Sequence, residues 1–304
     1  MTDTAPETSG SYRAGFLTFV GRPNVGKSTL TNALVGEKIV ITSPKPQTTR
    51  RAVRGIVHRP DGQLVIVDTP GLHRPRTLLG ERLNDVVQQT LSDVDVIAFC
   101  VPADEKVGPG DRFIVEQIGQ FPRPRRIALV TKAETVGRDV LAQRLLEVDE
   151  LAEWDAVIPV SAIEGIQLDT LVRELIALMP ESDPLYPADM ITEESFEQRA
   201  AELVREAALA DAREELPHSI AVTIDDVVLR DDGSTREVYA NIVVERDSQK
   251  GIIIGRGGER LRRIRETAQR ELDRISEGRT ILSLHVKVAK EWQRDPKQLG
   301  RLGF

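Results

Sequence analysis

The chain has one cysteine, Cys100, so no intrachain disulfide can form, and this fits a reducing, cytoplasmic setting. Cys100 ends an apolar run and reads as a small core residue. No run approaches the roughly 18 apolar residues of a spanning helix, which excludes a transmembrane segment. Residues Met1 to Gly10 are polar and acidic. That excludes a signal peptide and a basic targeting helix, and it predicts a disordered N-terminus over residues 1–12. Aromatic residues make up 4% of the chain. Few rings are therefore available as platforms for nucleic-acid bases.

What is present fits a two-domain protein. Hydrophobic residues make up 40% and charged residues 29% of the 304, close to the globular average. The charge is unevenly divided. Residues 250–304 hold 14 Lys/Arg against 7 Asp/Glu, or +7, and the remainder holds 27 against 41, or −14. A basic segment on an acidic body points to a polyanionic partner, nucleic acid or acidic lipid.

The densest motif is Gly21-Arg22-Pro23-Asn24-Val25-Gly26-Lys27-Ser28, which matches G-x-x-x-x-G-K-[ST] at every fixed position. The apolar run Phe16 to Val20 precedes it, and a helical pattern from Ser28 and Thr29 to Val35 follows. In that context the loop N–H groups and the helix N-terminus cradle phosphates. Lys27 would reach the terminal phosphates, and Ser28 would ligate Mg²⁺. Asp68-Thr69-Pro70-Gly71 follows the strand Leu64 to Val67. It would supply a second-shell metal carboxylate and a γ-phosphate sensor. Thr131-Lys132-Ala133-Glu134 follows Ile127 to Val130, and Ser161-Ala162 follows Val157 to Val160. There a carboxylate could read guanine's N1/N2 edge, and backbone amides could hold its O6. Four motifs at the carboxyl ends of strands line one crevice of a doubly wound, mostly parallel α/β sheet.

This order resembles the translation-factor-like GTPases, whose base-reading motif is usually Asn-Lys-x-Asp. Thr131 and Glu134 depart from it. Thr131 lacks the Asn amide, and Glu134 is one methylene longer, so an ATPase stands as a rival reading. Leu72 stands where Ras-type enzymes place a water-orienting Gln, which predicts slow intrinsic turnover. The resemblance suggests that Asn24 helps hold K⁺ beside the phosphates; the alternative is that Asn24 only braces the loop. Thr49, ahead of Thr48, is the candidate switch threonine for Mg²⁺. His73 reads as a solvated loop residue rather than a base.

Pro180, Pro184 and Pro187 mark a linker over residues 181–192. It separates a GTPase domain, 13–180, from a second domain, 193–304. Beyond it the patterns give a helix over 193–214, strands over 219–229 and 238–245 joined by Asp231-Asp232-Gly233-Ser234, a short Ile-rich helix, a helix from Glu259 to Ile275, and a strand over 281–288. Gly255-Arg256-Gly257-Gly258 between the two helices looks like the GXXG loop of an α+β, type II KH domain. Arg256, Arg260, Arg262 and Arg263 would meet phosphates. Trp292 reads as a packing residue.

A GTPase domain followed by this KH domain resembles the Era family of bacterial GTPases. Pro46-Gln47-Thr48-Thr49-Arg50, Glu215-Leu216-Pro217-His218-Ser219 and the tail Arg301-Leu302-Gly303-Phe304 support the likeness. The resemblance implies a GTP/GDP switch that binds the 3′ end of small-subunit (16S) rRNA and acts in small ribosomal subunit assembly. It also implies peripheral contact with the inner membrane or cell envelope. A switch acting mainly at a membrane or protein partner is the alternative.

Overall fold

The structure, a computed structural model, describes residues 11–43, 48–71, 77–210, 212, 216–276 and 278–303. The first ten residues, Pro46-Gln47, Leu72, His73, Glu215 and Phe304, all used above, lie outside the described residues. By contact the chain forms two units. One holds residues up to 37 with Val53–Asp68 and Gln89–Glu193. The other holds Lys38–Ala52, Thr69–Gln88 and residues from 194 onward.

In chain order the elements begin β1 (Arg13–Val20), α1 (Lys27–Val35), β2 (Val53–Arg59), β3 (Gly62–Asp68), α2 (Leu78–Asp93), β4 (Val96–Pro102), α3 (Pro109–Gly119), β5 (Arg125–Thr131), α4 (Arg138–Asp149), β6 (Ala156–Pro159) and α5 (Leu168–Leu178). The strands of the first unit form one sheet in the order β2-β3-β1-β4-β5-β6. All its pairings are parallel except β2 with β3. Every residue of β3 and β4 is buried. Strands covered on both faces read as continuous apolar runs, which is why the sequence exposes them so clearly. Leu17, Phe19, Leu64, Ile66, Ala98 and Leu129 pack with Leu171 and Leu175 of α5 in the core. The sequence pattern does not predict the antiparallel edge strand β2: its burial is mixed, and it carries Arg54, His58 and Arg59.

The Pro-rich segment after α5 docks onto this same unit. Buried Gln63 accepts the Leu185 and Tyr186 N–H groups at 2.8 and 3.0 Å and donates to the Tyr186 carbonyl at 2.9 Å. Ile56 N–H donates to the Ile191 carbonyl at 2.9 Å, and Arg54 pairs with Glu193 at 2.8 Å.

The second unit carries α6 (Phe196–Ala210), α7 (Leu216–Ser219), β7 (Ala221–Leu229), β8 (Arg236–Val244), α8 (Asp247–Ile254), α9 (Glu259–Ile275), β9 (Thr280–Val288) and α10 (Pro296–Arg301). Its sheet runs β7-β8-β9, with β7 and β8 antiparallel and β8 and β9 parallel. This is the predicted α+β order. α6 starts later than its charge pattern suggests because Ser195 and Gln198 form a capping box. The Ser195 N–H donates to Gln198 Oε1 at 2.8 Å, and the Gln198 N–H donates to Ser195 Oγ at 3.3 Å. Ala200, Val204 and Ala208 of α6 share a core with Ile242 of β8 and Ile264 and Leu272 of α9.

Two segments earlier in the chain belong to this unit. Thr42 N–H donates to Glu206 Oε1 at 2.9 Å, and Lys38 pairs with Glu206 at 2.5 Å. Arg50 is 4% exposed and donates to the Ile220 and Pro217 carbonyls at 2.7 and 3.1 Å. Its guanidinium lies 5.8 Å from the centre of the Trp292 ring. Leu79 and Leu83 of α2 pack with Trp292, Ala221, Val243 and Leu299. Trp292 is fully buried and donates Nε1–H to the Ser219 carbonyl at 3.1 Å. It is a packing residue. Among the described residues no helix is long and apolar enough to cross a membrane.

Candidate nucleotide and nucleic-acid sites

β1, β3, β4, β5 and β6 run parallel, so their carboxyl ends share one edge. Sequential strands lie on opposite sides of β1, and that reversal opens the crevice. The phosphate loop spans it from β1 to α1. Asn24 and Gly26 take left-handed φ values of 64° and 97°, which turns successive N–H groups inward. A side chain on Gly21 would meet the Cys100 carbonyl at 2.5 Å, so only glycine lets the loop lie this close to β4. Burial pushes the Cys100 thiol up to about 12, so it is an inert core group.

Lys27 folds back over the loop and donates to the Gly21 and Arg22 carbonyls at 3.0 and 2.9 Å. Burial pulls its pKa below the ordinary lysine value, although nearby Cys100 and Asp68 oppose the shift. A phosphate entering the loop would replace those carbonyls with stronger acceptors. Ser28 Oγ donates to Asp68 Oδ2 at 3.2 Å. A hydroxyl paired with a fully buried carboxylate beside the loop is an oxygen donor set suited to Mg²⁺.

Arg22 is clamped from outside the loop. Its Nε donates to Asp111 Oδ1 at 2.8 Å, and its Nη1 pairs with Glu105 at 2.8 Å. Burial would lower its pKa, but these hydrogen bonds and charges outweigh burial and hold the guanidinium above its usual value. Pro23 is exposed and Val25 is buried beneath the loop.

Thr131 and Glu134 sit in different surroundings. Thr131 Oγ donates to the Val25 carbonyl at 2.6 Å and sits 3.3 Å from that of Val101. The hydroxyl ties β5 to the phosphate loop without an amide. Lys132 takes φ 55° and lies 4.0 Å from Asp104. Glu134 sits on a short turn, Ala133–Thr135, and its Oε2 is buried without a hydrogen-bond partner among the described residues. A buried carboxylate oxygen with a vacant acceptor suits a donor edge such as guanine N1/N2. Ser161 is fully buried, its Oγ accepts the Glu164 N–H at 3.0 Å, and Ala162 follows it.

Thr49, Thr69, Pro70 and Gly71 fall in the second unit, whereas Ser28 and Asp68 fall in the first. Thr69 is 1% exposed.

In the second unit the glycine loop has the features that close backbone approach needs. Gly255, Gly257 and Gly258 take φ of 73°, 59° and 79°. Added side chains on Gly257 and Gly258 would meet nothing within 4 Å, so the space above them is open. α9 buries Ile264, Ala268 and Leu272 along one face. Arg256, Arg262 and Arg263 are exposed, and Arg260 is half-buried.

Two family models match: "50S ribosome-binding GTPase" over residues 16–132 and "KH domain" over residues 215–293. A GTPase Era of Leifsonia xyli is 62% identical over 294 residues, covering 96% of this chain and 99% of its own. One from Nocardioides is 53% identical and covers 100% of both. A crystal structure of Era with MgGDPNP and nucleotides 1506–1542 of 16S ribosomal RNA aligns at TM-score 0.91 and 37% identity, covering 96% of this chain and 99% of that one. A point variant of Aquifex aeolicus Era bound to GDP·AlF4⁻ aligns at 0.92 and 36% identity, with the same coverage. The chain is a GTP-hydrolysing enzyme with a P-loop GTPase domain and a C-terminal KH domain, and it belongs to the Era family.

Proposed function

We propose that this GTPase is a nucleotide-controlled RNA-binding switch. It binds GTP or GDP with Mg²⁺ in the crevice of its first unit and the 3′ end of small-subunit rRNA on its KH domain, and it acts in small-subunit assembly. Backbone amides of residues 21–28 cradle the phosphates, Lys27 neutralises their charge, and Ser28 with Asp68 holds the metal. Glu134 reads guanine and Ser161-Ala162 faces its O6. Bound Mg²⁺ would supply charge neutralisation at the β- and γ-phosphates. Asn24 is the residue on which a K⁺ requirement rests, tested by comparing turnover in K⁺ and Na⁺ at equal ionic strength.

The observation that carries the RNA assignment is the glycine loop 255–258, with positive φ at three positions, open above two of them, and followed by an arginine-bearing helix. The 37%-identical Era structure with its 16S rRNA fragment supports the choice of RNA. The test is binding of an rRNA 3′-end oligonucleotide by the Arg256→Asp/Gly257→Asp variant. RNA affinity should fall about tenfold or more, a loss of about 1.4 kcal/mol, while GTP binding persists. Intact RNA binding would overturn the assignment and favour a membrane or protein partner.

A further inference from the structure

We infer that Asp111, which lies in none of the nucleotide-binding motifs, is a positioning residue for the phosphate loop and acts through Arg22. This deepens the nucleotide-site reading above and rests on it.

Asp111 stands in the first turn of α3 and is 0% exposed. One carboxylate oxygen accepts the Gly108 N–H at 2.9 Å and tethers the start of the helix. The other accepts Arg22 Nε at 2.8 Å. A carboxylate buried this fully is costly unless it is paired, so the guanidinium and Asp111 hold each other in place. The second carboxylate on Arg22, Glu105, is 48% exposed and a weaker anchor. Gly110 completes the fit, because a side chain there would come within 3.0 Å of Arg22 Cδ.

The consequence runs through the backbone. The Arg22 carbonyl is one of the two acceptors on which the Lys27 ammonium rests, at 2.9 Å. The residue whose side chain α3 grips therefore also sets where Lys27 waits before phosphate arrives. Thr131 holds the same loop at Val25. The loop is pinned at two residues by groups from two different elements, one of them an ion pair to a fully buried carboxylate that the motif does not encode. Preorganisation of this kind raises affinity by lowering the ordering cost of binding.

The test is fluorescent GTP and GDP binding by the full chain, with thermal midpoints measured in parallel. Asp111→Asn keeps an oxygen for the Gly108 N–H but removes the charge. Arg22→Met keeps the stem without the guanidinium. Each should weaken GTP binding by about tenfold in protein that is still folded, and Arg22→Met, which leaves the buried Asp111 carboxylate unpaired, should also lower the thermal midpoint. The double variant should be no weaker than either single variant, since both act through one contact. Arg22→Lys returns a cation to Asp111 and should recover most of the affinity. Unchanged affinity in the folded Arg22→Met variant, or losses that multiply in the double variant, would overturn the inference. Should Asp111→Asn fail to fold, Arg22→Met against Arg22→Lys decides alone: equal affinities for that pair would sink the idea. A wild-type protein that binds no GTP would instead sink the underlying nucleotide assignment.

Discussion

At the scale of single residues, Thr131 ties β5 to the phosphate loop through its hydroxyl, which reaches the Val25 carbonyl at 2.6 Å. Thr131→Val keeps the shape and removes that donor, leaving a buried carbonyl unsatisfied. GTP affinity should fall by about tenfold, while Thr131→Asn should keep it; equal binding by Thr131→Val would show that the tether is idle. Lys27 carries a pH dependence whose sign follows from its environment. Burial lowers its pKa in the free protein, and phosphate oxygens favour the ammonium and raise it again. As pH rises through the lowered value, the free protein sheds a proton that binding must recover. GTP affinity should therefore decline toward alkaline pH, with proton uptake visible by calorimetry in buffers of different ionisation enthalpy. Affinity that climbs with pH would contradict this assignment.

At the scale of elements, Lys38–Ala52 and the first turns of α2 fold with the KH unit. Arg50 is one bolt, through the Ile220 and Pro217 carbonyls. Burial, and then the neighbouring Arg205 guanidinium, lower Arg50 to about 9, still protonated at neutral pH. Arg205 also donates to the Thr48 carbonyl, next to Thr49. Arg50→Ala would strand the Ile220 and Pro217 carbonyls, and urea unfolding should show a loss of about 3 kcal/mol. Arg50→Lys should recover little, because an ammonium cannot reproduce the guanidinium fork. A loss below about 0.5 kcal/mol, the range of an ordinary surface substitution, would refute the bolt. The Pro-rich segment after α5 shows the same principle. Composition marks it as a linker, yet Gln63, a polar residue inside a buried strand, captures its backbone.

At the scale of the whole molecule, the +7 charge of residues 250–304 should govern how RNA binding responds to salt. Plotted as log affinity against log salt, wild-type binding should fall linearly, and each neutralised phosphate contact should remove about 0.7 from the slope for single-stranded RNA. Arg256→Ala, Arg262→Ala and Arg263→Ala should each flatten the plot by about that amount if each meets one phosphate. A salt-independent affinity would place the RNA elsewhere.

The phosphate loop, the strands behind it and the glycine loop were legible because each is local. A loop that must present N–H groups needs glycines at set spacings, and a strand buried on both faces needs an unbroken apolar run. The KH element order was legible for the same reason, from alternating periods and a hairpin turn. The antiparallel edge β2 was not, because an edge strand has mixed burial and its partner β3 is chosen by pairing. Residues that act across the chain were also hidden. Asp111 lies 89 positions from Arg22, and Arg50 lies 170 from Ile220. Thr131 lacks an amide, and only the fold brings its hydroxyl within 2.6 Å of the Val25 carbonyl. Motif chemistry is written in neighbours along the chain. The pairing of buried charges and carbonyls depends on which distant groups the fold brings within hydrogen-bond reach, and only the tertiary structure supplies that.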